Sequence, residues 1–349
     1  MSEFIEKYPH EAGFAAHYAR EIAPYLSAAE EERLRTLSHF TTRLVLSLTA
    51  ILITGYFALV NPIFEKENQN IDAAIKFLFL FTVARSAFIL HKIYKSYSVD
   101  NKKLLLPALV SFFPQTIVEI ENYITPEEVA HFKILPHYNI YRGEDKITQI
   151  GMFTACELHL FTDGGPRKRN QEVRVFNGLA VLFDLPRAVS APIAVLPRVN
   201  LVSTVLAQTA QTHGKKIILE DPVFNQLFEV YSQDQIEGRR VLQPALMLRL
   251  MQLSILMQNW GQDPAKLPEG SRPGEIPSYL QAAKAKPRCA IAMGSNQLFI
   301  TIPCARNMFE TGSLFKSAYN SNEIRCTLYQ IYLLLLINKE LRQFPQMVS

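Results

Sequence analysis

Two long apolar runs dominate the first third of the chain. Residues 44–60 read LVLSLTAILITGYFALV, with no charge in 17 positions. That is near the short end of the roughly 17–25 residues a helix needs to cross a bilayer core. Asn61 and Pro62 end the run. A second block, IKFLFLFTVARSAFIL at 75–90, contains Lys76 and Arg85. A charge near a helix centre costs about 2.5–3.5 kcal/mol, while each Leu, Ile or Phe returns about 0.3–0.6 kcal/mol. The apolar residues around Arg85 therefore offset it. Arg85 is also close enough to the end of the block at Leu90 for its guanidinium to snorkel toward that side. Arg85 remains the intramembrane charge that a functional reading would single out.

Ahead of these runs, Phe14, Tyr18, Ile22 and Tyr25/Leu26 recur at helical spacing and form one apolar stripe. Pro24 predicts an interruption there. SAAE follows, with Ser27 as N-cap and Glu30 closing a capping box, so a new helix is expected to start here and run into the first span. The polar residues beside the stripe are mixed in sign, which favours packing on protein over a lipid surface.

Beyond the second run the pattern changes period. KKLLLPALVSFFP predicts a short helix stopped by Pro114. TPEE offers Thr125 as N-cap, Pro126 at the first helical position and Glu128 for a capping box. Strands are expected in 147–162, 173–185 and 191–197, with two short ones in KKIILED and LFEVYS. PALMLRLMQLSILMQNW has apolar positions at a 3.6 period and predicts a helix over 244–258. CAIAMGSNQLFITIP reads as a hairpin with its turn at 294–296. NEIRCTLYQIYLLLLINKELRQF is a closing helix, too short in its apolar run to be a third span. Strand runs with segregated helices predict an α+β domain built on a largely antiparallel sheet. The expected organisation is a helical segment at 1–43, a transmembrane hairpin at 44–90 and an α+β domain at 91–349. A Pro- and Gly-rich insertion at 261–288 is expected to be flexible.

Charge refines this picture. Arg33, Arg35 and Arg43 precede the first span, and His91, Lys92, Lys95, Lys102 and Lys103 follow the second. Between the spans Lys66 stands among Glu65, Glu67 and Asp72. The positive-inside bias places both termini in the cytoplasm. From residue 104 onward Lys and Arg number 24 against 21 Asp and Glu, a balance that argues against nucleic-acid binding. The four cysteines have no paired short spacing, which fits buried thiols in a reducing compartment. The first residues have no apolar core of the signal-peptide kind.

The search for chemistry returns little. The sequence has no phosphate-binding glycine loop, GxSxG elbow or HExxH helix. Cys156 and His159 in CELH lie three apart, which on a strand puts them on opposite faces and argues against a shared metal. No cofactor or metal site is expected. In DGGPRKRNQE, Arg167, Lys168 and Arg169 form a basic tip, either simply solvated or in contact with anionic headgroups or an acidic partner. FEVYSQDQIEGRRVLQPALMLRL (228–250) concentrates charge at a strand-to-helix junction. Asp234 and Glu237 would share a helix face as an acid/base pair. The structural reading makes Ser232 or Asp234 a cap, and Glu237 either pairs with Arg240 or accepts backbone bonds at that turn. Asp234, Gln235, Glu237 and Arg239 are the candidate junction or interaction residues.

The block at 221–250, DPVFNQLFEVYSQDQIEGRRVLQPALMLRL, resembles the signature of the bacterial domain-of-unknown-function 3137 family. HYAREIAPYLSAAEEERL, YRGEDKI, FTACELHLF, FNGLAVLFDLP, IAVLP and LFITIPCARNMFETGSLFKS agree in the same order, so the likeness covers nearly the whole chain. It implies an inner-membrane protein with two N-terminal spans and a cytoplasmic α+β domain, and no known activity. Members are often encoded near LemA-like membrane proteins, which implies a shared assembly by association only. The chain departs from the family in the 261–288 insertion and in Gly238, where the family more often has Ala. The resulting expectation is a membrane-anchored, non-enzymatic interaction or scaffold protein. The alternative is an enzyme acting on lipid or peptide through Asp234 and Glu237.

Overall fold

The computed structural model describes residues 3–60, 69–163, 172–198, 212–258, 260, 264, 275–284 and 286–343. The chain forms two compact units, one of Met1–Phe4, Ala16–Leu106 and Glu310–Glu323, the other of Ile5–Ala15, Pro107–Phe309 and Ile324–Ser349.

The first unit is helical. A short α1 (Phe14–His17) and a π turn (Tyr18–Ile22) lead without a break into α2 (Ala23–Val60), and α3 spans Gln69–Val110. Phe14, Tyr18, Ile22 and Leu26 are all buried, so the stripe does not lie on the surface. Pro24 does not interrupt the helix. It lies two residues after the π turn, in which the Ala23 N–H bonds to the Tyr18 carbonyl, the kind of local departure from α geometry that accompanies a proline within a continuous helix. Ser27 is therefore inside α2 and starts no helix. Glu30 turns instead to Arg33, with two hydrogen bonds of 2.7 and 2.9 Å, and accepts the Ala318 N–H at 2.7 Å. The expected short helix before Pro114 is also corrected: its residues continue α3 to Val110 with Pro107 inside the last turn.

Apolar stretches of α2 and α3 are long enough to cross a membrane, and only 6% of each apolar window is buried within the chain. Leu46, Leu52, Phe57, Phe77, Leu80 and Phe88 point outward, as lipid-facing side chains do. Gly55 lies against Phe79; a Cβ there would approach the ring to 3.2 Å. Beyond the apolar windows, residues 310–323 clasp both helices. Arg33 donates to the Leu314 carbonyl at 3.0 Å, Asn101 to Thr311 at 3.1 Å, and Lys102 pairs with Glu310 at 3.1 Å. Phe315 meets Phe40 edge-on and stacks on Tyr94.

Among the described residues the second unit holds a seven-stranded sheet whose pairs are all antiparallel. Its strands are β1 (Thr116–Glu119), β2 (Ile140–Gln149), β3 (Phe153–Asp163), β4 (Glu172–Pro197), β5 (Lys215–Ile217), β6 (Phe228–Ser232) and β7 (Ala290–Pro303). Short helices α4 (Pro126–Val129), α5 (Pro222–Leu227), α6 (Gln235–Val241) and α8 (Tyr279–Ala282) join longer α7 (Pro244–Gln258) and α9 (Asn322–Leu341). At α4 the Thr125 N–H reaches Glu128 at 2.6 Å, closing the box foreseen in TPEE. The run 147–162 is split by a turn at Gly151, where φ is +68°.

Two strand expectations are overturned. The stretches 173–185 and 191–197 are one strand, β4, with register shifts between Asp184 and Val189 and again before Ile193. CAIAMGSNQLFITIP is not a hairpin but the single strand β7. It pairs along β4 from Gly178↔Pro303 to Val195↔Ile291. Gly294 and Ser295, the latter at φ +53°, fall at the shift opposite Val189. A bulge there relieves the same local tendency that a turn would have satisfied.

Alternation sorts the sheet into two faces. Cys156, Leu158, Leu160, Ala180, Leu182, Ala194, Leu196 and Phe299 enter one core cluster with Ile124, Val129, Phe132 and Leu135. Leu179, Val181, Ile300 and Ile302 are buried on the opposite face. α7 and α9 are buried along most of their length and are joined by Arg249–Glu340 at 3.3 Å. The N-terminal residues fasten to α9 through the buried Glu11–Arg325 pair at 2.5 Å.

Gly178 sits where β4 lies tightest against β7, and a Cβ there would press on the Ile302 carbonyl oxygen and the Cys304 N. These are backbone atoms that cannot swing aside. Gly178→Ala is expected to destabilise the chain by about 2–3 kcal/mol through overpacking. Thermal unfolding of the purified full chain in detergent measures this, and an unchanged midpoint would show that the two strands can separate at no cost.

Candidate functional site

The strand-to-helix junction is built by two caps. Asp221 accepts the N–H groups of Val223 and Phe224 at 2.8 and 3.0 Å and starts α5, which leads into β6. Asp234 accepts those of Ile236 and Glu237 at 2.8 and 3.2 Å and starts α6. Glu237 is buried. It forms a forked pair with Arg240 at 2.6 and 2.7 Å and accepts the Ser190 N–H of β4 at 3.0 Å. Arg240 pulls its pKa from the ordinary 4.5 to about 2, against a burial that would raise it, with the Ser190 N–H adding to the pull. Gln235 is exposed, and Arg239 pairs at the surface with Glu220 at 3.1 Å. Asp234 and Glu237 thus hold backbone amides and an arginine. At Gly238 a Cβ would meet Ile217 Cδ1 at 2.5 Å, so the glycine leaves room for the end of that side chain.

A second cluster lies on β2, β3 and β4. Glu157 and His159 are two residues apart on β3 and so share a face, while Cys156 points into the core on the other. Glu144 stands directly across from Glu157 in the β2–β3 register. Asp145, at φ +58°, marks a bulge that shifts the register after Glu144. Asn177 of β4 stands across from His159. Its Nδ2 donates to the Cys304 carbonyl at 2.5 Å, and its Oδ1 lies 2.5 Å from His159 Nδ1. His159 Nε2 faces Glu157 Oε1 at 3.7 Å and Glu144 Oε1 at 3.9 Å. The Glu144 carboxylate raises the His159 pKa against burial, and Glu157 adds to the rise. Glu157 is fully buried, and its Oε2 accepts the Met308 N–H at 2.9 Å. Burial, and secondarily the Glu157 charge, raises the Cys304 thiol. Among the described residues, Glu144, Glu157 and His159 are the group of three whose donor atoms converge, all within 4.8 Å.

The sequence sets His159 only against Cys156, on the opposite strand face as expected, and does not reveal this cluster. Strand alternation in CELH already joins Glu157 to His159, but Glu144 and Asn177 arrive only through strand register. Arg85 is exposed on α3. Arg167, Lys168 and Arg169 lie outside the described residues. Of the insertion, 275–284 and 286–288 are described, and the Pro277 carbonyl accepts from Gln252 of α7 at 2.8 Å. In the helical unit a cleft of about 500 Å³ lies between α2 and α3, lined by His39, Arg43, Lys92 and Asp100 among others.

Residues 174–260 match the family model described as Protein of unknown function (DUF3137). The resemblance stated from the sequence is confirmed over this span, which runs from β4 through the junction to α7. No curated protein and no solved structure matches the chain.

The Glu237–Arg240 pair sets an acid limit on stability. The folded pKa of Glu237 lies below its unfolded value, so the contribution is complete above about pH 4.5 and is lost as pH falls through about 2. Glu237→Gln is expected to cost about 1–3 kcal/mol at neutral pH. The gap between variant and wild-type unfolding midpoints should close on acidification across that window. A gap that stays constant with pH would show that the loss comes from packing and not from the charge.

Proposed function

We propose that this chain is a membrane-tethered, non-enzymatic interaction protein on the cytoplasmic face of a bacterial inner membrane, with both termini inside. The observation that carries the reading is the contrast between its parts. The apolar windows of α2 and α3 leave 94% of their residues unburied, while the sheet unit closes both faces of its sheet. Such windows are favourable only in lipid. The basic residues Arg43 and Lys92 stand where the two apolar runs end, which supports the orientation. The engagement of Asp234 and Glu237 in caps and an ion pair supports a junction role for Asp234, Gln235, Glu237 and Arg239 over acid/base catalysis.

The partner in this reading is a membrane protein, with a LemA-like protein as the first candidate through the family association. Arg167, Lys168 and Arg169 would add attraction to anionic headgroups.

Two measurements test the proposal. A cysteine introduced by Asn68→Cys should react with an impermeant maleimide in intact cells, while the native cysteines stay unlabelled until lysis. The opposite pattern would invert the orientation. After crosslinking in cells, a mild-detergent pull-down of the full chain tagged at its C-terminus should return one membrane protein in near-equal amount. A chain recovered without a partner would overturn the scaffold reading.

A further inference from the structure

We propose that Glu144, Glu157 and His159 form a binding site for a single divalent transition-metal ion of the zinc or manganese type. Three observations lead there. The first is the ring's tautomer. Asn177 is oriented by its bond to the Cys304 carbonyl, so the atom it turns to His159 is its oxygen, an acceptor. Nδ1 therefore carries a proton, and Nε2, which faces the two carboxylates, is the nitrogen that an ion would take in exchange for the imidazolium's second proton. A metal-bound histidine is held in just this way, its second nitrogen donating to a neighbouring oxygen.

The second observation is spacing. The Nε2 distances of 3.7 and 3.9 Å to the two glutamates are too long for hydrogen bonds. Ligands at about 2.0–2.2 Å from a common ion stand roughly 3–4 Å from one another. The two edges that meet at Nε2 have the dimensions of a shared cation, and all three donor atoms lie within 4.8 Å, so the carboxylates would draw in slightly on an ion. The third is charge. Glu144 and Glu157 are direct cross-strand partners, an arrangement that like charges disfavour. Glu157 is fixed by the Met308 N–H, and the bulge at Asp145 directs Glu144 to the same place. One imidazole nitrogen with two carboxylate oxygens suits zinc, manganese or iron(II). Glu144 keeps 33% of its side chain exposed, which leaves an open side for the ion to enter. The bound ion would tie β2 and β3 to the segment that follows β7.

The test uses the untagged full chain in detergent, stripped with chelator and titrated with Zn²⁺ and Co²⁺ by calorimetry and visible absorption. One equivalent should bind. Glu144→Gln should weaken binding at least 30-fold with an unchanged circular dichroism spectrum. Asn177→Ala should weaken it about 10–100-fold, as expected for a residue that orients a ligand. Absence of stoichiometric binding by the wild type would overturn the proposal and leave His159 as an imidazolium between two carboxylates. So would full affinity in Glu144→Gln, or a thiolate-to-cobalt charge-transfer band, which would place the ion on a cysteine.

Discussion

Strand β4 is the constraint on which the sheet unit depends. Its first half pairs with β3 along one edge, its second half with β6 along that same edge, and β7 follows the other. One strand thus aligns three others, two of which, β6 and β7, are not its neighbours in sequence. Close approach at Gly178 allows the tight β4–β7 contact, and the register shifts between Asp184 and Ile193 let one strand serve two sets of neighbours. The β3–β4 register then puts Asn177 beside His159, and Ser190 of the shifted region receives Glu237.

Both polar clusters touch that strand, one through Ser190 and the other through Asn177, but they differ in kind. At the junction every carboxylate oxygen with a described role accepts from a backbone amide or an arginine. Satisfied groups of that sort hold an element in place. In the Glu144–Glu157–His159 cluster the Nε2 of His159 faces two carboxylates at ion-pair distances, beyond hydrogen-bond reach. Groups fixed from behind, by Asn177 and the Met308 N–H, and converging in front are the mark of a site that receives something.

The helical unit follows a different logic. Lipid-length apolar helices can tolerate nearly complete exposure of their side chains only outside water. Beyond the apolar windows the helices are held by polar and aromatic contacts from residues 310–323, more than 200 positions away from their partners in sequence. Arg33, one of the positive flank residues, is itself buried in this clasp. Its charge therefore also serves a packing role that flank counting does not register.

What the sequence determined by itself is whatever depends on neighbours within a few residues. The apolar runs, the α+β class, the helices over 244–258 and near the C-terminus, the capping box at Thr125 and the Glu237–Arg240 pair are all of this kind. They follow from periodicity, caps and i to i+3 reach. The errors came where a local signal met a distant partner. Gly-Ser-Asn in β7 looked like a turn and became a bulge because β4 offers a longer pairing partner. Pro24 looked like a break and was absorbed after a π turn. The convergence of Glu144, Asn177 and His159, and the clasp of 310–323 on two helices, were settled only by tertiary structure. Strand register and long-range packing bring those residues together, and neither leaves a mark in the spacing of residues along the chain.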